Sequence, residues 1–122
     1  MNELEVSDVV KTVQDVIVLT YDLDTTDDPG INDYIKDKLR DLGWQDEIDS
    51  IIVRRFQVQD VLEKGKLPSS TLWKGKCTPA IAIIEFEQAL RIYNTSSNKK
   101  LCAHGKAVAF SVNQYAALEK RK

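Results

Sequence analysis

The sequence predicts an α+β fold for a single domain of 122 residues. Three observations lead to this prediction: a β-branched apolar stretch near the start, two helical stripes that each follow a proline, and shorter alternating stretches around them. The chain is long enough for one hydrophobic core and too short for two. With 43% hydrophobic and 30% charged residues, its composition is typical of globular proteins.

The central predicted element is a strand from Val16 to Leu23, which is apolar on both faces and ends in Tyr21-Asp22-Leu23-Asp24. β-Branched and aromatic residues favour a strand that is covered on at least one side. Residues 1–15 before it form an N-terminal arm, whose spaced valines fit either a short helix or an extended segment. Both alternatives stay open.

Two helices are predicted from polar caps that precede prolines. The first follows Thr25-Thr26-Asp27-Asp28 and Pro29 and ends at Gly43, a residue type that favours the left-handed stop position. The second follows Thr78-Pro79 and ends near Asn94, although residues 80–87 also alternate as a strand does. The predicted apolar faces are Ile31, Tyr34, Ile35, Leu39 and Leu42 in the first helix, and Ile83, Phe86, Leu90 and Tyr93 in the second.

Three further strands complete the predicted order. Ile51 to Val58 forms a strand, Glu63 to Lys66 a turn at Gly65, and Ser70 to Gly75 the strand that returns beside Ile51 to Val58. Ala107 to Val112 alternates large and small residues, which indicates a half-buried strand. The order β-α-β-β-α-β predicts a ferredoxin-like antiparallel sheet over residues 16–112, with two helices on one face. Residues 113–122 form a C-terminal tail, with a helix as one alternative.

Charge and hydropathy limit where the protein works. The apolar runs fall far short of the ~20 residues that cross a bilayer, so we expect no membrane association. The N-terminus is acidic where a secretory signal is basic, which predicts a cytoplasmic protein. Cys77 and Cys102 are widely spaced, so free thiols are expected. A net charge of −2 argues against a protein that coats nucleic acid through a broad basic surface.

Asp22 and Asp24 lie on one face of the predicted central strand, because side chains alternate along a strand. Two carboxylates spaced in this way can hold a hard cation such as Mg²⁺, with water molecules as the remaining ligands. The ordinary alternative is that both aspartates close the strand into a turn, where this residue type is common. Spacing alone favours the turn.

A second candidate site is the run Arg54, Arg55 and Phe56. Guanidinium groups clamp phosphates and an aromatic ring stacks on a base, a combination that single-strand nucleic-acid binders use. The ordinary alternative is one exposed arginine and one arginine that extends along a sheet edge. His104, the sole histidine, is predicted to be a surface residue of a glycine-containing loop.

The opening Val18-Leu19-Thr20-Tyr21-Asp22-Leu23, followed by an amphipathic helix, resembles that of the small CRISPR-associated adaptation subunits usually called Cas two. It is also similar to the openings of the ferredoxin-like VapD and GhoS toxin–antitoxin endoribonucleases. The resemblance implies a homodimer in which Asp22 of each chain faces its mate across the two-fold axis and binds Mg²⁺. In such a protein Asp22 is catalytic as a metal ligand, and a metal-activated water cuts a phosphodiester of RNA or DNA.

Two functions of different classes follow. The first is a Mg²⁺-dependent endoribonuclease or nucleic-acid-processing subunit that uses Asp22. The alternative is a non-catalytic interaction or regulatory module, such as an antitoxin-like or mobile-element accessory protein, which the acidic pI of about 5.4 favours. A small-ligand sensor is a third option, but no residue pattern identifies a ligand.

Overall fold

A computed structural model of the chain describes residues 3–25, 28–96 and 104–122. In these residues six strands form two three-stranded sheets, and two α-helices accompany them. The predicted α+β class is confirmed. The elements are β1 Lys11–Leu23, α1 Ile31–Asp41, β2 Glu47–Arg55, β3 Val61–Lys66, β4 Thr71–Gly75, α2 Pro79–Ser96, β5 Gly105–Tyr115 and β6 Leu118–Arg121, with a 3-10 turn, Val6–Val9, before β1. Cys102 and most of the loop predicted after the second helix lie outside the described residues.

Sheet A has the strand order β4-β1-β5, and both outer strands run antiparallel to β1. The predicted central strand is therefore confirmed. It begins earlier than expected, at Lys11, and the register shifts between Thr12 and Val16 around Asp15, whose φ is 54°. Part of the predicted N-terminal arm thus belongs to the sheet.

Sheet B has the order β3-β2-β6, with β3 antiparallel and β6 parallel to β2. A ferredoxin-like order is not confirmed, because the returning strand β4 does not pair with β2, which lies with β3 and β6 in a separate sheet. Residues 63–66, where the sequence predicts a turn, belong to β3. Gly65 lies inside this strand and not in a turn. A glycine is required there because a Cβ would lie 2.5 Å from Ile51 Cδ1. This glycine therefore marks a close approach between strands.

The C-terminal tail forms a strand and not a helix. Leu118 to Arg121 pairs with Ile52 to Arg55 in parallel register, and Ile52 N donates a hydrogen bond to Ala117 O over 2.9 Å. Since β5 also continues to Tyr115, regular structure extends past the predicted boundary at residue 112.

Both helices pack on one face of sheet A, as predicted. The shared core comprises Ile17, Leu19 and Tyr21 of β1, Ile31, Ile35 and Leu39 of α1, Leu72 of β4, Ala82, Phe86, Ala89 and Tyr93 of α2, and Trp44. α1 begins at Ile31, two residues after Pro29, because Asp28 Oδ1 accepts a hydrogen bond from Gly30 N over 2.9 Å and holds the preceding turn. Gly43, with φ at 99°, ends this helix as predicted.

Residues 80–87 are helical, which decides between the two predicted alternatives. Thr78 Oγ1 accepts a hydrogen bond from Ile81 N over 3.2 Å, as expected of a helix cap. Of the predicted stripe, Phe86 and Tyr93 are buried and Leu90 packs against the core, whereas Ile83 is 40% exposed. Ala82 and Ala89 are buried as well. Among the described residues, no helix has both the length and the apolar character that crossing a membrane requires.

Candidate functional site

At the end of β1, the side chains of Tyr21 and Asp22 lie on opposite faces of sheet A. Tyr21 is 5% exposed, and its ring centroid lies 5.5 Å from that of Phe86 in the core. Burial, assisted by the Asp33 carboxylate, raises the pKa of Tyr21 to about 12. The phenol therefore stays protonated at neutral pH and belongs to the packing. Asp22 is exposed on the opposite face of sheet A, so it is the member of this pair that a ligand can reach.

A lysine and the sole histidine lie beside the two aspartates. Antiparallel pairing sets Asp22 opposite Lys106 of β5, and residues directly opposite each other share a face of the sheet. Asp24 N donates a hydrogen bond to His104 O over 2.9 Å, which brings these two residues together as well. We refer to Asp22, Asp24, His104 and Lys106 as the strand-end cluster.

Sequence reasoning missed half of this cluster. The predicted last strand begins at Ala107, one residue after Lys106, and His104 was expected to be an ordinary surface residue. The signal that joins them to Asp22 is the pairing register of β1 with β5, which connects segments about 80 residues apart and leaves no local motif.

The strand-end cluster has few metal ligands. Within residues 3–25, 28–96 and 104–122, no group of three or more His, Cys, Asp or Glu side chains is arranged to hold a metal ion. Asp28 accepts hydrogen bonds from Gly30 N and, over 2.6 Å, from the Tyr93 hydroxyl, so it joins α1 to α2. Asp22 and Asp24 offer at most two carboxylates, so water or phosphate would have to supply the other ligands of a bound Mg²⁺ ion. Lys106 opposes cation binding through its own charge.

Arg54 forms an internal anchor. Its Nη2 and Nε atoms donate to Asp60 Oδ2 over 2.9 and 3.1 Å, and the Asp60 side chain is only 2% exposed. The same carboxylate oxygen accepts a hydrogen bond from Leu4 N over 2.8 Å, while Arg54 Nη2 also donates to Leu4 O over 3.1 Å. The guanidinium that the sequence offers as a phosphate ligand thus ties the N-terminal segment to sheet B.

Phe56 keeps the exposure that a binding role requires, whereas Arg55 is half-buried. Arg55 lies on the opposite face of β2 from Arg54, and Phe56, in the turn that follows, is 82% exposed. Parallel pairing of β2 with β6 sets Arg55 opposite Arg121 and Arg54 opposite Lys120. Three C-terminal cations, Lys120, Arg121 and Lys122, therefore extend the predicted site, and no local pattern links them to Arg55.

Sheet A leaves one face uncovered by helices, and β5 forms its edge. On this face Val18 lies opposite Phe110 and Thr20 lies opposite Val108. Val108 is 54% exposed and Phe110 is 44% exposed. The edge strand is 11 residues long, and Lys106 is its one charged residue. Natural proteins usually protect such edges with charges, prolines or bulges, so this edge is suited to pairing with another strand.

A cleft of about 750 Å³ lies between the two sheets. Its apolar walls include Val16, Val18, Trp73 and Val112 of sheet A, and Ile48, Ile51 and Leu118 of sheet B. The volume lies in the usual range of ligand sites. Lys64 and Lys66 line the cleft together with Glu47, Asp49 and Glu119, so both signs of charge are present.

No family model matches this chain, and comparison with curated proteins and with solved structures gives no significant match.

Proposed function

We propose that the protein is an interaction module that works as a homodimer, joined edge to edge through β5. The observation that carries this proposal is the long, nearly uncharged edge with Val108 and Phe110 exposed on it. Unpaired N–H and C=O groups along an edge strand bond readily to another strand. A second copy of the chain offers the same edge, and such an isologous pairing closes after two copies.

The most favourable register places the two-fold axis at Phe110, the midpoint of β5. Antiparallel pairing then uses the whole strand and sets Val108 opposite the partner's Val112. Lys106 lies opposite the partner's Gln114, so no like charges meet. Moving the axis toward Lys106 shortens the ladder and brings two lysines together, which is unfavourable.

Sedimentation velocity over about 1 to 100 µM of the full chain tests this proposal. We expect the wild type to reach twice the mass of one chain as concentration rises. Phe110→Lys should weaken association at least about tenfold, because the ammonium groups of two symmetry-related chains would meet at the axis. Ile84→Lys is the matched control, since Ile84 is an apolar residue that is 55% exposed and belongs to α2, not to β5.

A wild type that stays monomeric throughout this range would reject the dimer. Equal weakening by Phe110→Lys and Ile84→Lys would reject β5 as the interface. Circular dichroism melting curves establish that both variants fold, and Val108→Thr adds a milder change that keeps the β-branched shape.

We further propose that sheet A with α1 and α2 is a ferredoxin-like core whose remaining strand has moved into a second sheet. The central position of β1 between two antiparallel strands supports this proposal, as does the packing of both helices on one face. A bridge between Gln45 and Trp73, with N–O distances of 2.8 and 2.9 Å, joins the segment leading into β2 to β4.

A metal-dependent nuclease is the second candidate function, and the strand-end cluster favours it. Asp22 and Asp24 would hold Mg²⁺, which when bound would activate water and neutralise phosphate charge. Lys106 can pair with a phosphate oxygen.

The test is incubation of an unstructured RNA with the purified chain and Mg²⁺, with and without EDTA. A nuclease of this kind should lose about a hundredfold or more in rate with Asp22→Asn, since removing a metal ligand removes the charge that activates water. Lys76→Gln, at an exposed lysine outside the cluster, should leave the rate unchanged. Cleavage that survives EDTA or Asp22→Asn, or no cleavage by the wild type, would reject this function.

A further inference from the structure

The turn after β2 exposes an aromatic ring that the fold does not use. Phe56 is 82% exposed, and Val58 beside it is 51% exposed. A phenylalanine contributes to folding mainly through burial, so a ring in solvent adds little to stability. Exposed aromatic rings are, however, the platforms on which single-stranded bases stack.

Cationic residues of two strands lie at the same end of sheet B as this ring. Arg55 precedes Phe56 in the chain, and the pairing of β2 with β6 brings Lys120, Arg121 and Lys122 to the same end of sheet B. Arg121 is 2.8 Å from Glu119 and 3.5 Å from Glu63, so these carboxylates offset part of the charge. Asp60 and Glu3 likewise accompany Arg54, so the charge at this end is mixed. Lys120 and Lys122 form no ion pair within the part of the chain that the structure describes, and they are available to a phosphate.

The cations lie on both faces of sheet B. Arg55 and Arg121 are partners in register and share one face, whereas Lys120 pairs with Arg54 on the other. A flexible strand that passes over the end of the sheet can contact both faces. A planar lipid surface, or a stiff duplex, can contact one face at a time.

We infer that this end of sheet B binds single-stranded nucleic acid, with Phe56 stacking on a base and with Arg55, Lys120 and Lys122 contacting phosphates. Arg54 and Arg121 are excluded, because their guanidinium groups are bonded to Asp60 and to Glu119. The inference goes beyond the proposed dimer and depends neither on β5 pairing nor on a metal. It also fits the net charge of −2, because the basic surface is local.

Fluorescence anisotropy with a labelled 12-nucleotide oligo-uridine and the full chain at low salt tests the inference. Phe56→Ala should weaken binding about tenfold or more, whereas Phe56→Tyr should bind as the wild type does, because it keeps an aromatic face. The double variant Lys120→Gln/Lys122→Gln should lower the slope of log affinity against log salt by about 0.7 for each lost phosphate contact.

Lys76→Gln is the control, since it removes one positive charge from an exposed residue outside this cluster. It should change neither affinity nor salt slope. Because Phe56 and Lys120 are exposed, their variants should fold, and thermal unfolding establishes this independently.

Several outcomes would overturn the inference. One is the absence of binding by wild type at about 100 µM protein. Another is equal affinity for a duplex of the same length, or affinity that Phe56→Ala leaves unchanged. Binding to anionic phosphatidylserine vesicles without binding to the oligonucleotide would assign the surface to a membrane instead.

Discussion

Arg54 and Arg55 are neighbours in the chain but have different roles, because a strand directs successive side chains to opposite faces. Arg54 meets the buried Asp60 and the backbone of Leu4, whereas Arg55 lies beside the C-terminal cations. The sequence identifies both arginines as candidates. The sequence does not show which arginine pairs with a buried carboxylate, because that contact depends on the positions of the turn after β2 and of the N-terminal segment in the folded protein.

The Arg54–Asp60 pair predicts a pH-dependent stability. Hydrogen bonds from Arg54 and from Leu4 N hold the pKa of Asp60 below its ordinary value of 3.8. A carboxyl whose pKa is lower in the folded state than in the unfolded state stabilises the protein at pH values above its unfolded-state pKa. This contribution is lost as the pH falls through the folded-state pKa. We expect urea midpoints to fall from pH 5 to pH 3, and Asp60→Asn to lower the midpoint at pH 7 and flatten this dependence.

The matched control for this prediction is Asp49→Asn, which changes an exposed aspartate on the same sheet. It should leave both the midpoint at pH 7 and its pH dependence close to wild type. If Asp60→Asn behaves as Asp49→Asn does, the Arg54–Asp60 pair contributes nothing to folding and the anchoring role is wrong.

The strand-end aspartates illustrate what a single residue pattern can predict. Alternation along β1 correctly places Tyr21 and Asp22 on opposite faces. The sequence could not predict that Lys106 and His104 lie beside Asp22 and Asp24, because these residues come together only through the pairing of β1 with a strand distant in the chain. Local periodicity assigns a face to a residue but does not identify its neighbours across the sheet.

At the scale of elements, capping residues and glycines predicted the ends of the helices correctly where their effect is local. Thr78 starts α2 and Gly43 ends α1, as the sequence predicts. Gly65 was misassigned to a turn, because the reason for a glycine there is the approach of Ile51 from a neighbouring strand. On α2 the predicted Phe86 and Tyr93 are buried, whereas Ile83 is exposed and the small Ala82 and Ala89 pack in the core.

Gly105 tests the pairing of β1 with β5. A Cβ at this position would lie 2.7 Å from Asp22 O and 2.8 Å from Leu23 Cδ2, and the backbone oxygen cannot rotate away as a side chain can. We expect Gly105→Ala to lower the free energy of unfolding by about 1 to 3 kcal/mol, as measured by urea denaturation.

Two other glycines provide controls for that measurement. Gly75→Ala meets nothing within 4 Å and should be neutral or slightly stabilising, because glycine in a strand is costly. Gly65→Ala meets the terminal methyl of Ile51, which can change rotamer, so its cost should be smaller than that of Gly105→Ala. An equal effect at all three positions would contradict the register of β1 and β5.

At the scale of the whole molecule, the division into two sheets was not predictable from the elements. Ile51, Ile52 and Val53 are all buried, so both faces of β2 are covered and its apolar pattern does not specify a partner strand. The four-residue β6 completes sheet B through parallel pairing at the end of the chain. Element order alone favoured a single sheet, and long-range pairing decided otherwise.

The proposed β5 dimer and the dimer implied by the family resemblance have incompatible geometries. With the two-fold axis at Phe110, Lys106 and the partner's Lys106 lie about 26 Å apart, because eight residues at ~3.3 Å each separate Lys106 from Gln114. A dimer in which two Asp22 carboxylates share a metal would bring these lysines close together, because each lies beside its own Asp22.

The distance between spin labels attached through Lys106→Cys, with Cys77 and Cys102 changed to serine, tests the β5 dimer most directly. Pulsed dipolar spectroscopy at a concentration that favours the dimer should give a distribution centred near about 26 Å, allowing for the length of the label arms. A distribution below about 15 Å, or no dipolar coupling at all, would contradict pairing through β5.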